Sequence, residues 1–340
     1  MDRRWFLSVL GMSSLAPLAS FVPVVEPEKG LIKPKNLQKG QTIGLISPAS
    51  RLHDPSKYDK IVKKIKKMGF RVKEGKYARD QYGYFSGTDE QRAHDLNAMF
   101  ADDSVDAILP FRGGWGCNRI LNLIDYELIQ NNPKILVGFS DITSLLLAIY
   151  AKTGLVTFHG PVGKSEWTKY TKRHFRKALS YQQPYTIETY DQDECESCNN
   201  FSVITPGKAT GRLLGGNLTV LTAMIGSDYL PDWKGNILFV EDVGEDIYRI
   251  DRMLTQLKLS GALDQVSGFI FGQCTACKRS NSYSLTLGQV LDHFIKPLGI
   301  PAFSGAFIGH IDKMVTLPVG LPVKIDAQKG NIILNEAATV

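Results

Sequence analysis

A serine lies at a strand-to-helix junction in residues 135–143, which read ILVGFSDIT. The short apolar run stops at glycine and is followed by a helix-like segment. A buried strand that turns sharply into a helix exposes its turn residue at the carboxyl edge of a sheet, so Ser140 is a candidate nucleophile for acyl transfer. The pattern lacks the second glycine of a full nucleophile elbow, and serine followed by aspartate is also a common helix N-cap. From these residues alone, the capping interpretation is favoured.

A serine hydroxyl becomes a nucleophile when a base takes its proton, and that base is usually a histidine oriented by a carboxylate. His310 closes the apolar run at 301–310 directly after a glycine, which predicts a rigidly held side chain at a strand end. His159 also ends a predicted strand and is the main rival.

Glu241 is the preferred orienting carboxylate because it follows the buried strand predicted at 236–240. The sheet holds a residue at a strand end while its tip stays accessible. A salt bridge from Glu241 to Arg249 or Arg252 is the alternative without a catalytic role. The other acidic residues that the sequence leaves open are Asp242, Glu245, Asp251 and Glu336.

A glycine-rich loop, FRGGWG at 111–116, lies between another predicted strand and helix. Paired glycines at such a junction let backbone N–H groups face an oxyanion or a carboxylate without an intervening side chain. A plain tight turn is the alternative.

The elements that must position these residues follow a strand, helix, strand alternation from residue 41 onward, which predicts a parallel sheet with covering helices. We predict an α/β protein with a Rossmann-like parallel-sheet N-terminal domain at 37–165 and a smaller β-rich α/β C-terminal domain at 207–340. Residues 166–206 are polar and charged and are interpreted as a helix plus a linking excursion between the domains. A β-hairpin formed by 318–326 and 331–334, around Lys329-Gly330, is predicted near the end.

The first 25 residues resemble a twin-arginine export signal, with Arg3-Arg4 ahead of an apolar stretch, and residues 26–36 are predicted to be a linker. An uncleaved membrane anchor is the alternative. We therefore expect a periplasmic or otherwise exported protein that meets the membrane only through this segment. Lys and Arg number 40 against 34 for Asp and Glu, and they form no basic stripe, which argues against a nucleic-acid partner.

The five cysteines include two CxxC pairs, Cys195 with Cys198 and Cys274 with Cys277, and a single Cys117. Two such pairs fit a structural zinc site, whereas in an exported protein disulfides compete. Both interpretations stay open, as do free thiols. No catalytic metal or other cofactor is required, because a serine already supplies a nucleophile.

Five motifs occur in an order that resembles the LD-carboxypeptidases, serine peptidases related to the microcin C immunity peptidase. They lie at 111–116, 137–143, 215–218, 238–252 and 309–310, and the resemblance runs from about Leu37 to about Asp326. Two mild departures are Trp115 and Phe139, which stand where tyrosine is more usual.

The resemblance implies a triad of Ser140, His310 and Glu241, with the N–H groups of Gly114 and Asp141 as the oxyanion hole. It implies release of the terminal D-alanine of murein tetrapeptides by cleavage of an L-to-D bond. Arg112 is the nearest candidate for the substrate carboxylate, with a structural salt bridge as its alternative, and Trp115 lies in the same substrate-binding loop. The family's familiar recycling enzymes are cytoplasmic, so the export signal is a further departure.

Two other functions stay open at this point. One is a microcin C-type immunity hydrolase that cuts an amide on a toxic nucleotide conjugate. The other is a non-catalytic muropeptide-binding protein, which has no need of all three triad residues. The sequence is also compatible with a homodimer.

Overall fold

The computed structural model describes residues 30–190 and 201–340. The predicted signal segment, residues 26–29 of the predicted N-terminal linker and the pair Cys195 and Cys198 therefore lie outside the described residues. Within the described ranges, the helices are too short or too polar to cross a membrane.

The strands of the described chain are β1 (Thr42–Ile46), β2 (Arg71–Glu74), β3 (Ala107–Pro110), β4 (Ile135–Gly138), β5 (Thr157–His159), β6 (Tyr185–Glu188), β7 (Ser202–Thr205), β8 (Lys208–Asn217), β9 (Ile237–Val243), β10 (Gly268–Thr275), β11 (Ala302–Ser304), β12 (Leu317–Val319), β13 (Pro322–Asp326) and β14 (Asn331–Leu334).

The α-helices are α1 (Ser56–Lys67), α2 (Asp89–Ala101), α3 (Tyr126–Asn131), α4 (Thr143–Thr153), α5 (Lys169–Ser180), α6 (Leu218–Thr222), α7 (Ile247–Leu259), α8 (Ala262–Gln265) and α9 (Leu287–Phe294). Three short 3-10 helices span Cys117–Leu123, Ser140–Ile142 and Lys296–Leu298.

The first sheet has the order β12-β5-β4-β3-β1-β2, and its members from β5 to β2 are parallel. All residues of β1, β3 and β4 are buried, as expected of parallel strands covered on both faces. Helix α2 begins with a capping box, in which the side chains of Thr88 and Gln91 each accept the other's backbone N–H. The predicted Rossmann-like sheet is thus present.

The second sheet has the order β6-β14-β13-β8-β9-β10-β11-β7. Its centre, β8-β9-β10-β11, is parallel, and β13, β14, β6 and β7 add antiparallel strands. The predicted hairpin corresponds to β13 and β14. Both sheets carry helices, so the α/β class is confirmed.

Part of the segment interpreted as a linker belongs to the second sheet. Helix α5 precedes β6 and corresponds to the predicted helix. Strands β6 and β7 form the two edges of the sheet, so the linker interpretation of 166–206 is wrong for these two strands. The reason is that an edge strand buries little of its surface: β6 has one buried residue and β7 has none, so neither shows an apolar strand pattern.

Two contacts join the sheets at the N-terminus of α4. Strand β12 crosses back to pair with β5 of the first sheet. The backbone N–H of Asn217 donates to Thr143 Oγ1 at 2.9 Å. A Cβ on Gly216 would lie 2.5 Å from the Thr143 side chain, so only glycine permits this approach. The end of β8 is therefore fixed close to the serine turn.

Candidate active site

Ser140 lies on a strained turn between β4 and α4. Phe139 is extended, whereas Ser140 has φ +62°, a left-handed conformation that serine rarely adopts. Phe139 occupies the N-cap position of the 3-10 helix, and no side-chain capping bond is present there or at α4. The capping interpretation is therefore wrong, and the turn has the geometry of a nucleophile elbow.

The glycine loop packs directly against this turn. A Cβ on Gly113 would lie 2.9 Å from Ser140 Cβ, and a Cβ on Gly114 would lie 2.4 Å from Ser50 Oγ. Gly114 has φ +124°, a backbone conformation that is strained for any residue with a side chain. The loop is thus a tight turn that also brings its backbone to the serine.

Asp141 ties the loop to the turn. Its buried carboxylate accepts the backbone N–H of Cys117 at 2.8 Å, directly after the glycines. Burial raises the pKa of Asp141, opposed by hydrogen bonds from Cys117. This side-chain role was not predicted, since the motif pointed only to the backbone of Asp141.

Glu241 and His310 form a hydrogen-bonded pair. His310 Nδ1 lies 2.8 Å from Glu241 Oε2, and the Glu241 side chain is 0 % exposed. Glu241 lies within β9 rather than after it, paired with Asn217 of β8. A Cβ on Gly309 would lie 2.5 Å from Glu241 Oε2, so glycine at 309 permits the approach of the histidine backbone. Rigid strand residues therefore hold the carboxylate.

Asn217 supports this pair and was missed by the sequence reasoning. Its amide nitrogen donates to Glu241 Oε1 and to Asp242 Oδ1, each at 3.2 Å. The available signal was the turn Gly215-Gly216-Asn217, whose asparagine also caps α6 through Val220 N–H. One residue thus joins the carboxylate to the interdomain contact at Thr143.

The two partners of the pair shift each other's pKa. Burial by itself raises the pKa of Glu241, but the charge and hydrogen bond of His310 outweigh it and lower the value. Burial likewise opposes protonation of His310, yet the charge and hydrogen bond of Glu241 raise its pKa above 6.5. The pair therefore favours the imidazolium form that a general base acquires on accepting a proton.

Ser140 and His310 line the same cleft, which has a volume of about 460 Å³. Gly113, Gly114, Arg112 and Lys164 contribute to the same lining. The Glu241 bond engages Nδ1 of His310, which leaves Nε2 as the nitrogen available to a substrate or to the serine. No hydrogen bond joins Ser140 and His310 among the described residues.

Arg112 lines the cleft and is not in a salt bridge anywhere in residues 30–190 and 201–340. Its Nε donates to Gly113 O at 3.0 Å and its Nη1 to Arg51 O at 3.2 Å. The salt-bridge alternative is therefore wrong, and the charge stays available to the cleft. Trp115 lies outside this lining: its ring is 49 % exposed and packs on Tyr84 and Phe85.

The rival histidine lies in a different environment. His159 is fully buried at the end of β5 against Phe139 and Phe239, and neither of its ring nitrogens has a hydrogen-bond partner in the described chain. Burial lowers its pKa to about 4, so it is neutral near pH 7. It has no carboxylate bond and does not line the cleft, unlike His310.

The rival carboxylates are engaged elsewhere. Asp242 accepts from both the N–H and the hydroxyl of Thr219, at 3.0 and 2.8 Å, and Glu245 pairs with Arg249 at 3.5 Å. Arg249 therefore does not neutralise Glu241. Glu336 pairs with Lys33 at 2.8 Å, and Asp251 lies on α7, where Thr255 contacts it.

Buried neutral histidines predict acid sensitivity. His174, on α5, also has its pKa lowered to about 4 by burial. The folded-state pKa lies below the unfolded value near 6.5, so this contribution to stability is present above pH 6.5 and is lost as the pH falls toward 4. For His174→Phe, we expect the loss of unfolding free energy between pH 7.5 and 5 to be about 2 kcal/mol smaller than in wild type. Urea unfolding at both pH values measures this difference.

His53→Phe is the matched control, because His53 is exposed and has no hydrogen bond or ion pair within the described residues. It should keep the pH dependence of wild type. If His174→Phe also keeps that dependence, His174 is not held neutral in the fold.

Two of the CxxC cysteines are bonded to each other. Cys274 and Cys277 form a disulfide, and Cys117 is a buried free thiol whose pKa is raised, chiefly by burial. The described residues contain no group of three or more His, Cys, Asp or Glu side chains placed to hold a metal ion. Because Cys195 and Cys198 are not described, the second half of the zinc prediction stays untested.

Alkylation without reduction separates a disulfide from zinc. In denaturant, we expect the peptide with Cys274 and Cys277 to stay unlabelled, because neither sulfur is a thiol. Cys117 should be labelled only in denaturant, because native burial shields it. Peptide mass spectrometry reads both results. Labelling of Cys274 and Cys277 without reductant would contradict the disulfide and leave zinc and free thiols, which a metal assay on the freshly purified protein separates.

Family comparisons match both halves of the chain. The model described as LD-carboxypeptidase N-terminal domain matches residues 43–160, and that described as LD-carboxypeptidase C-terminal domain matches residues 210–325. The first range contains Ser140, and the second contains Glu241 and His310.

Three individual proteins are similar over most of their length. A "Probable murein peptide carboxypeptidase" from Bacillus subtilis is 41% identical over 89% of this chain and 94% of its own. The microcin C7 self-immunity protein MccF from Escherichia coli is 33% identical over 88% of this chain and 94% of its own. A structure of MccF with glutamyl sulfamoyl guanosine has a TM-score of 0.83 at 31% identity, and the match covers 91% of this chain and 99% of the MccF chain. The structure of muramoyltetrapeptide carboxypeptidase from Oxalobacter formigenes has a TM-score of 0.75 at 29% identity, and the match covers 86% of this chain and 97% of that one.

Proposed function

Because the chain belongs to the LD-carboxypeptidase family, we propose that it is a serine carboxypeptidase that hydrolyses the L-to-D peptide bond of murein tetrapeptides and releases terminal D-alanine. The observation that carries the proposal is the Glu241–His310 pair in the cleft that Ser140 also lines. Cell-wall turnover or recycling is the process that this reaction serves.

The mechanism follows from the positions of the three side chains. Glu241 accepts a hydrogen bond from the Nδ1–H group of His310, which leaves Nε2 as the basic nitrogen. His310 takes the Ser140 proton as the hydroxyl attacks the scissile carbonyl, and the resulting imidazolium is stabilised by Glu241. The imidazolium then protonates the amine of the leaving D-alanine, and water hydrolyses the acyl-enzyme by the same steps in reverse.

The oxyanion of the tetrahedral intermediate is assigned to the N–H groups of Gly114 and Asp141. The packing of Gly113 on Ser140 brings the loop backbone to the nucleophile. Asp141 begins the turn into α4, whose positive end also favours negative charge. Each oxyanion donor of this kind contributes about 10²–10³ in kcat.

A microcin-type immunity hydrolase is the second candidate, since one of the solved structures similar to this chain is that of MccF in complex with glutamyl sulfamoyl guanosine. It would use the same nucleophile and base on an amide of a nucleotide conjugate. The murein substrate is preferred because the relative with 41% identity carries that name. A non-catalytic binder would not need the assembled Glu241–His310 pair beside a strained serine.

We also propose that the protein is exported, on the basis of Arg3-Arg4 and the apolar stretch that follows. It would then meet murein fragments outside the cytoplasmic membrane. Fractionation of cells that express the full chain tests this, and replacement of both arginines by lysine should retain the protein in the cytoplasm.

The activity test incubates the purified full chain with a murein tetrapeptide and with an aminoacyl sulfamoyl nucleoside, and follows both by mass spectrometry. Loss of one D-alanine from the tetrapeptide supports the proposal. Cleavage of the nucleoside conjugate alone would favour the immunity function, and cleavage of neither would contradict both.

A further inference from the structure

We propose that Lys164 acts with Arg112 as the receptor for the terminal carboxylate of the substrate, and so makes this site select a free chain end. The inference rests on the proposed function, because it concerns the leaving residue of the same reaction. It starts from two cations that line the cleft beside Ser140.

Backbone pairing places the two cations side by side. The N–H of Gly163 donates to Pro110 O at 2.9 Å, and the N–H of Lys164 donates to Phe111 O at 2.8 Å. The segment after β5 therefore runs along the segment that leads from β3 into the glycine loop. Lys164 is thus held next to Arg112 by the main chain, independently of its side-chain rotamer.

Neither cation is neutralised in residues 30–190 and 201–340. Arg112 donates to two backbone carbonyls, and Lys164 has no hydrogen bond or ion pair from its ammonium group. Burial, then the charges of Arg112 and Lys57, lower the pKa of Lys164. An anion close to both groups would favour their charged forms, and no described side chain supplies one to Arg112 or Lys164.

Acidic residues do line the same cleft, namely Glu166 and Asp312. Neither lies within ion-pair distance of Arg112 or Lys164. The cleft thus presents separate positive and negative groups.

The position of the two cations fits a carboxypeptidase. The terminal carboxylate belongs to the residue after the scissile carbonyl, and consecutive Cα atoms are about 3.8 Å apart, so its receptor must line the same cleft as the nucleophile. Arg112 and Lys164 line the cleft together with Ser140, and Arg112 precedes Gly113, which packs on Ser140. An internal peptide has no carboxylate there and leaves both cations unpaired.

The test compares a tetrapeptide with a free terminal carboxylate and the same peptide ending in D-alaninamide. Wild type should prefer the free acid by about 10–100-fold in kcat/KM, as expected for a hydrogen bond between charged groups. Lys164→Met should lose most of this preference, because its kcat/KM for the free acid falls. Its kcat/KM for the amide should stay within about twofold of the wild-type value. Lys164→Arg should restore part of the preference.

Lys169→Met is the matched control, since Lys169 is an exposed lysine on α5 outside the cleft lining. It should keep the wild-type preference. Thermal unfolding of each variant confirms an intact fold. A wild-type enzyme that cuts acid and amide equally, or a Lys164→Met enzyme that keeps the preference, overturns the inference while the proposed function stands.

Binding to the Ser140→Ala protein tests the anion contact without turnover. Calorimetry should show tighter binding of the acid than of the amide, and Lys164→Met in that background should remove the difference. Equal binding of the two peptides overturns the inference even if wild type releases no D-alanine, a result that would separately contradict the proposed function.

Discussion

Replacement of Ser140 by alanine lowers kcat for D-alanine release by about 10⁴ or more, because the cleft then contains a base and an oxyanion site but no nucleophile. Ser140 occupies the strained turn, and His310 lines the same cleft. Mass spectrometry of the tetrapeptide, with wild type and variant at equal concentration, measures the effect. The substrate should still bind, since the residues that line the cleft are otherwise unchanged.

Ser165→Ala is the matched control for this result. Ser165 lines the same cleft, and its hydroxyl accepts the backbone N–H of Val162 at 3.0 Å. It should retain activity within about tenfold of wild type, because it has a role in the local turn and none in the chemistry. Full activity of Ser140→Ala would show that another group is the nucleophile.

Replacement of Glu241 by glutamine lowers kcat/KM by about 10⁴, because a neutral amide does not stabilise the imidazolium and no longer fixes the tautomer that carries its proton on Nδ1. Glutamine keeps the size of a fully buried side chain, so steric damage is small. The pH profile changes as well. In wild type Glu241 raises the pKa of His310 above 6.5, and without that charge burial lowers it.

The rate requires neutral His310, so the acid limb of the wild-type profile should have its midpoint above pH 6.5. In Glu241→Gln the midpoint of the residual activity should move below that of wild type. Glu245→Gln is the control, since Glu245 pairs with Arg249 and not with His310. It should keep both rate and profile. An unchanged acid limb in Glu241→Gln would assign the limb to a group other than His310.

The sequence predicted most of the first sheet because its strands are continuous apolar runs separated by helices of clear periodicity. Strand β4 is an example: every residue of it is buried, and its end at Gly138 was visible as an abrupt change in residue type. The edge strands β6 and β7 were missed because exposed residues carry no burial pattern. Strand β12 was assigned to the terminal hairpin, whereas its partner is β5, about 160 residues earlier in the chain.

In the active site, too, some features were predicted from the sequence and others were not. Residue types and motif order identified Ser140, Glu241 and His310, because acyl transfer needs a nucleophile, a base and a carboxylate. The assignment of Arg112 to a salt bridge or to the substrate could not be made, since it depends on which side chains surround it in space. Asn217 and the carboxylate of Asp141 act through contacts with residues 24 positions away in the chain, so the local turn at Asn217 and the motif at Asp141 did not reveal these partners.

The sequence by itself determined the α/β class, the strand-end positions of the serine turn and the glycine loop, and the residue types available for chemistry. These properties follow from local periodicity and from the conformational demands of glycine. Only the tertiary structure decided that Ser140 is a strained turn residue and not a helix cap, that Glu241 pairs with His310 and not with Arg249, and that His159 is buried and neutral. Each of these depends on packing between the two sheets, which determines burial and partner choice and which no short stretch of sequence encodes.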